Sequence, residues 1–385
     1  MKAARALTGM LPVLAILLTV GAAELSLAWL RPVPFASESN LYFVADPHLG
    51  YRLQPDSVGF FEAAGVTGTV NRHGLRDDEF PAAKPAGELR ILALGDSYTM
   101  GANVAQDATW PQVLERLLAQ QTGTPVQVMN AGVGGYHPFH YTRDYQHHGR
   151  RLAPDLLLVG FFVGNDAFSS VSRVEHSRTA VAGRRVNRES VRAAPRAIRV
   201  ELWLYAHSHL ARRWFNRRLF VVAGDTLAPG GEPRDGGRFT PEYLQIQARK
   251  ARLLHRGTEA GARRKAENAV AQIAQLAQLA AEDRRPLLVV MIPDENQINS
   301  SLARAVVGDA ERLAHHDLSL PQRALAPMFA ERGIEVLDLL PAFLADERRL
   351  YMNDGHWSEA GHRLAAERIL AALRPRLAAL AGSPS

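Results

Sequence analysis

Arg90-Ile91-Leu92-Ala93-Leu94-Gly95-Asp96-Ser97-Tyr98-Thr99 decides how this chain is read. A short apolar run stops at Gly-Asp-Ser, the way a buried parallel strand hands a serine to the carboxyl edge of an α/β sheet. Taken by itself, Ser97 is better explained as the N-cap of the next helix. As a nucleophile it needs a base, an acid to orient that base, and donors for an oxyanion.

Three further blocks follow in order. Val126–Asn130 reads as a second strand and runs into Ala131-Gly132-Val133-Gly134-Gly135-Tyr136. Leu156–Val163 reads as a third and runs into Gly164-Asn165-Asp166. Near the far end stands Asn353-Asp354-Gly355-His356-Trp357-Ser358, where His356 is the one histidine set beside an acid in such a loop. Asp354 is placed to hold the imidazole in one tautomer and to balance the imidazolium. Each block alone has a bland explanation, a turn at Asn165-Asp166 or a helix cap at Ser358. The ordered set, each member at a strand end, does not.

This set resembles the SGNH (GDSL-type) hydrolases over roughly Arg90 to Leu377, apart from one long insertion. The resemblance implies a serine esterase working through an acyl-enzyme, with Ser97 as nucleophile, His356 as base and Asp354 as acid. It also implies an oxyanion hole built from the backbone N–H groups of Ser97 and Gly135 and the side-chain amide of Asn165. Gly132 and Gly134 compete for the glycine's place; Gly135 aligns with the family's block. Many members carry the acid three residues before the histidine, where this chain has Asn353. The spacing of Asp354 matches a subset that includes enzymes moving acetyl groups on exopolysaccharides. The implied substrate is an acyl ester, O-acetyl first, on a bacterial polysaccharide. An O-acyltransferase using the same triad is the alternative, and a non-catalytic glycan-binding or assembly protein is another. Thr99 stands where Gly-x-Ser-x-Gly would need its second glycine, which argues against the α/β-hydrolase elbow.

The rest of the chain alternates in the same sense. Leu287–Ile292 and Glu335–Leu339 read as further buried strands. Trp110–Gln121, Lys265–Ala281 and Glu359–Leu380 read as helices, the last broken at Pro375. The fold class is α/β, with a flavodoxin-like parallel sheet of about five strands flanked by helices. With 385 residues the chain can bury a full core. It has no cysteine, which excludes disulfides, thiol catalysis and thiolate-bound zinc. No metal or cofactor is expected, and His147-His148 read as solvated surface.

Lys2 and Arg5 precede an apolar run from Ala6 to Val20 that continues less cleanly to Leu30. Residues 1–30 therefore read as a signal anchor or a signal peptide, with the rest outside the cytoplasm. The run, about 24 residues, is long enough to span a bilayer, which favours an uncleaved inner-membrane anchor over secretion. Residues 31–88 read as a β-rich extension, with strands near 41–44, 50–53 and 67–70. Within it Asn71-Arg72-His73-Gly74-Leu75-Arg76 is an element that recurs ahead of Gly-Asp-Ser in anchored bacterial members; a structural role is expected. The hydrolase domain spans 89–380 and is interrupted by an Arg-rich insertion, 173–265.

That insertion holds 21 basic residues against 8 acidic ones, a local net charge of +13, while the whole chain carries +6. Nucleic acid is not an expected partner outside the cytoplasm; anionic glycan or a membrane surface is. Leaving the carboxyl end of a strand, the insertion should overhang Ser97. Arg212-Arg213 and Arg217-Arg218 are its candidates for carboxylate-bearing sugars. The competing reading is a solvated cap. The sequence is silent on oligomeric state.

Overall fold

Among the described residues the strands, numbered along the chain, form one parallel sheet and three antiparallel hairpins. The computed structural model describes residues 2–30, 41–61, 65–168, 178–181, 183–214, 239, 241–251, 254–255, 259–308 and 315–377. β1 (Phe43–Asp46) pairs with β2 (Gly50–Leu53), and β3 (Ser57–Phe61) with β4 (Val66–Val70). The core strands are β5 (Leu89–Gly95), β6 (Val126–Gly132), β7 (Leu156–Phe162), β10 (Leu287–Ile292) and β11 (Glu335–Asp338). Between them in sequence, β8 (Arg178–Val181) and β9 (Arg184–Asn187) make a third hairpin inside the Arg-rich insertion.

The core order is β6-β5-β7-β10-β11, all parallel. This is the flavodoxin-like arrangement expected from the sequence. Every residue of β5 and β7 is buried, because helices cover both faces; that is why these strands read as continuous apolar runs. Successive residues alternate between the two faces. Leu92, Leu94, Leu157 and Val159 pack toward Tyr141, Tyr145 and Ile273. Ile91, Ala93, Leu158 and Val290 pack toward Leu114, Leu118 and Ile369. Those partners lie on α3 (Trp110–Thr122), α4 (Pro138–His147), the helix Glu259–Glu282 and the terminal helix Glu359–Leu373. Each fully buried leucine or isoleucine contributes roughly 1.5–3 kcal/mol.

The chain runs from β5 out to β6 and then back past β5 to β7, so the order of strand addition reverses between β5 and β7. Ligand crevices in such sheets open at that point, beyond the carboxyl ends. The register sets Gly95 opposite both Gly132 and Gly160. A Cβ on Gly95 or Gly160 would lie 2.0 or 2.3 Å from Thr99 Oγ1, and one on Gly132 would lie 2.1 Å from the Met100 nitrogen. The three glycines let the short helix α2 (Ser97–Met100) settle onto the sheet end.

At the N-terminus Lys2–Leu30 is helical. Among the described residues no helix is long and apolar enough to cross a membrane. The side chains of residues 2–10, where the apolar run starts, lie outside those described, so the anchor stays an expectation. Glu24 of this helix accepts hydrogen bonds from Ser208 Oγ (2.9 Å) and the Leu210 N–H (3.1 Å).

Candidate active site

Ser97 opens α2, whose N-cap Asp96 accepts the Tyr98 N–H at 2.9 Å. The His356 ring comes from a loop 259 residues away, with Nε2 2.9 Å from Ser97 Oγ. On the other side of the ring, Nδ1 lies 2.9 Å from Asp354 Oδ2. Asp354 Oδ1 also accepts the His356 backbone N–H at 3.0 Å, which closes the two residues into a tight unit. Burial works to raise the Asp354 carboxyl. The His356 ring and charge, its N–H and the Asn103 amide outweigh that and bring it down to about 2. Asp354 therefore stays ionised across the neutral range.

Gly135 stands in the turn after β6 with φ +78°, a conformation in which a side chain is strained. The Gly134 carbonyl accepts from Arg185 at 2.5 Å and from the Tyr51 hydroxyl at 3.4 Å. A trans peptide unit points its N–H opposite to its C=O, so the Gly135 N–H faces away from Arg185. No described residue accepts the N–H of Ser97 or of Gly135. Asn165, after β7, gives one amide N–H to Asp96 Oδ2 at 3.3 Å. Burial and the neighbouring Asp166 charge push Asp96 up to about 7. Asp166 is fully buried, accepts the Tyr141 hydroxyl at 2.9 Å and the Phe162 N–H at 3.0 Å, and fixes the Asn165 turn.

The structure thus brings Ser97, Gly135, Asn165 and the Asp354–His356 pair to one end of the sheet, from four different segments. It also shows what sequence reading missed. Arg76 is wholly buried and donates to the carbonyls of Met100 (2.9 Å), Gly101 and Val104 (2.7 Å). Burial lowers its guanidinium to about 10. Those carbonyls bracket Asn103, which takes φ +63° and aims its amide at Asp354 Oδ2. The recurring Asn71–Arg76 element was the one available signal for Arg76; nothing in the sequence pointed to Asn103, Tyr51 or Arg185.

The described parts of the insertion reach the site from two sides. Arg185 lies over the Gly135 turn, within 2.1 Å of where a Cβ would sit. The helix Pro241–Ala251 sets Gln247 against Gly355, beside His356. Arg212 instead bonds the carbonyls of Tyr205 and Ala206, and Arg217-Arg218 lie outside the described residues. His148 is a correction. Expected in solvent, its side chain is 20% exposed and bonds Asp46 at 3.0 Å. His362 is buried, accepts the Trp110 N–H at 3.2 Å and is driven down to about 3 by burial, which marks it as a core group. Among the described residues no group of His, Cys, Asp and Glu could hold a metal ion.

The family model of GDSL-like lipase/acylhydrolases matches residues 93–364 of the chain. No curated protein matches it. Among solved structures, the acetyl xylan esterase AlAXEase is 12% identical, with 74% of this chain and 100% of that one covered at a TM-score of 0.37. A two-domain esterase (CEX) active on acetylated mannans, co-crystallized with mannopentaose, is 12% identical over 76% of this chain and 51% of that one, at 0.38. The lipase/acylhydrolase from Enterococcus faecalis is 13% identical over 75% and 96%, at 0.34.

Proposed function

This chain belongs to the GDSL-like lipase/acylhydrolase family, whose members cleave esters, and on that premise we propose a serine esterase that uses Ser97, His356 and Asp354 as its triad. The observation that carries the reading is the relay of two 2.9 Å contacts, Ser97 Oγ to His356 Nε2 and His356 Nδ1 to Asp354 Oδ2. His356 takes the hydroxyl proton as Ser97 Oγ attacks the ester carbonyl. The oxyanion meets the unused N–H groups of Ser97 and Gly135 and the Asn165 amide. His356 then protonates the leaving alcohol, and water hydrolyses the acyl-enzyme by the same route.

The substrate reading is a short acyl group, O-acetyl first, on a polysaccharide outside the cytoplasm. Two features support it: the spacing of Asp354 from His356, and the accessibility of the pair. The His356 side chain is 28% exposed and that of Asp354 39%, so an ester on the surface of a polymer can approach. The same openness admits a sugar hydroxyl in place of water, which is the acyltransferase alternative.

The test is release of p-nitrophenol from its acetate ester by the wild-type chain and by Ser97→Ala. The substitution should cut the rate by roughly 10⁴-fold or more. An unchanged rate would remove Ser97 from the chemistry. Adding oligosaccharide acceptors and weighing the products separates the two fates: acetylated sugar in excess of free acetate means transfer.

A further inference from the structure

A cavity of about 330 Å³ lies behind the Gly134–Gly135 turn, between the N-terminal extension and α4. Its wall includes Arg52, Arg72, His73, Asp144, His148 and Arg151, and none of Ser97, Asn165, Asp354 or His356. Tyr136, next to Gly135, is part of the same wall.

Asp144 is the unusual member of this wall. Its residue exposure is 9%, and no described residue donates a hydrogen bond to its carboxyl. Burial pushes it up to about 6, against the charges of His148 and Arg52. The contrast with Asp46 nearby is sharp. That carboxylate accepts His148 Nε2 at 3.0 Å and the N–H groups of His48 (2.8 Å) and Leu49 (2.9 Å). The Asp144 carboxyl faces the cavity with its acceptor sites open, and a ligand hydroxyl can donate to them.

The arginines present the complementary need. Arg52 spends one N–H on the His73 carbonyl at 2.5 Å. Arg151 spends NH2 on the His147 carbonyl (2.6 Å) and faces His148 Nδ1 at 3.1 Å. No described carboxylate forms an ion pair with either, so each keeps spare N–H groups of its fork. Arg72, at the rim, is already paired with Glu79 at 2.7 Å. Gly74 makes the arrangement possible. With φ +77° it leaves open the space that Arg52 crosses, where a Cβ would sit 2.0 Å from the guanidinium.

We propose that this cavity is a binding site for a polyhydroxylated carboxylate, a single sugar-acid ring, with hydroxyls donated to Asp144 and the carboxylate held by Arg52 and Arg151. The volume is at the small end of ligand sites and suits one ring. A guanidinium fork matches a carboxylate with two parallel bonds. A neutral hexose offers hydroxyls but no anion, and ionised phosphate offers little to satisfy Asp144. The site stands on its own geometry and does not require the ester chemistry.

The experiment is calorimetric titration of the full chain carrying Ser97→Ala, with methyl glucuronide, methyl glucoside and inorganic phosphate in turn. Because ester cleavage is already removed, the outcome says nothing for or against the esterase reading. Glucuronide should bind, with the glucoside and phosphate at least tenfold weaker. Asp144→Asn and Arg151→Ala should each weaken glucuronide by about tenfold or more. Arg151 is exposed, so its variant decides the matter if Asp144→Asn unfolds. No glucuronide binding, phosphate binding as tightly, or variants that bind glucuronide unchanged would each overturn the proposal.

Discussion

The two halves of the site are held in opposite ways. Ser97 rests on a helix whose next residues, Tyr98, Thr99 and Met100, are buried against the sheet, and whose following carbonyls are gripped by the sealed-in Arg76. The His356–Asp354 unit sits on an open loop. Hydrogen bonds tie it down: Tyr98 OH to the Gly355 carbonyl at 2.5 Å and the Asn103 amide to Asp354. Packing fixes Ser97, while polar contacts fix His356. Damage to the first half should therefore appear as lost stability, and damage to the second as lost rate in a folded protein.

Asp354→Asn should break the contrast most visibly on the rate side. An amide in that place favours the wrong tautomer, so kcat should fall roughly 10²–10⁴-fold. Thermal melting should change far less than the rate, since the amide keeps the size of the carboxyl and the side chain is 39% exposed. Were Asp354→Asn harmless and Asp166→Asn not, the acid would be misassigned.

Arg76→Met tests the other half. It removes a buried donor from three carbonyls, leaving Met100 only the Asn130 amide and Gly101 only the Val104 N–H, both at 3.4 Å, at a cost of about 3 kcal/mol. Melting should drop by roughly 5 °C or more. An unchanged melting temperature would show that Arg76 does not hold the loop after α2.

Asn103→Ala joins the halves, because Asn103 stands in the Arg76-held loop and reaches Asp354. Losing one charge-assisted bond should cost about 1–2 kcal/mol, read as a roughly tenfold lower kcat with KM little changed. A change in KM alone would place Asn103 in substrate binding instead.

Glu115 supplies the smallest effect, away from the site. Burial pushes it up to about 7, although it accepts the Val128 N–H at 2.7 Å. A carboxyl raised above its unfolded value binds its proton more tightly in the folded state. Its contribution is therefore full below about pH 4 and is lost as pH rises through about 7. Glu115→Gln should flatten the fall in melting temperature between pH 5 and pH 8. Identical slopes would contradict the assigned burial effect.

The sequence showed the sheet because β5, β7 and β10 are buried on both faces and read as unbroken apolar runs ending in turns. It showed the strand-end residues for the same reason. The Ser57–Phe61 strand escaped because Ser57 and Gly59 interrupt its pattern. The hairpin Arg178–Asn187 escaped because its arginines give no apolar alternation. The terminal helix ends at Leu373, ahead of Pro375, with a 3₁₀ turn at Arg374–Arg376 completing it. Arg76, Asn103, Tyr51 and Arg185 act through contacts between segments far apart in the chain, and no local pattern encodes such a contact.

The central claim is that His356 and the surrounding donors make Ser97 a nucleophile. Intact-protein mass measurement after exposure to a fluorophosphonate tests it most directly. The wild-type chain should gain one adduct, mapped to the peptide holding Ser97, while His356→Ala reacts far more slowly and Ser97→Ala not at all. An unlabelled wild type, or a Ser97→Ala protein that labels as readily, would contradict the account.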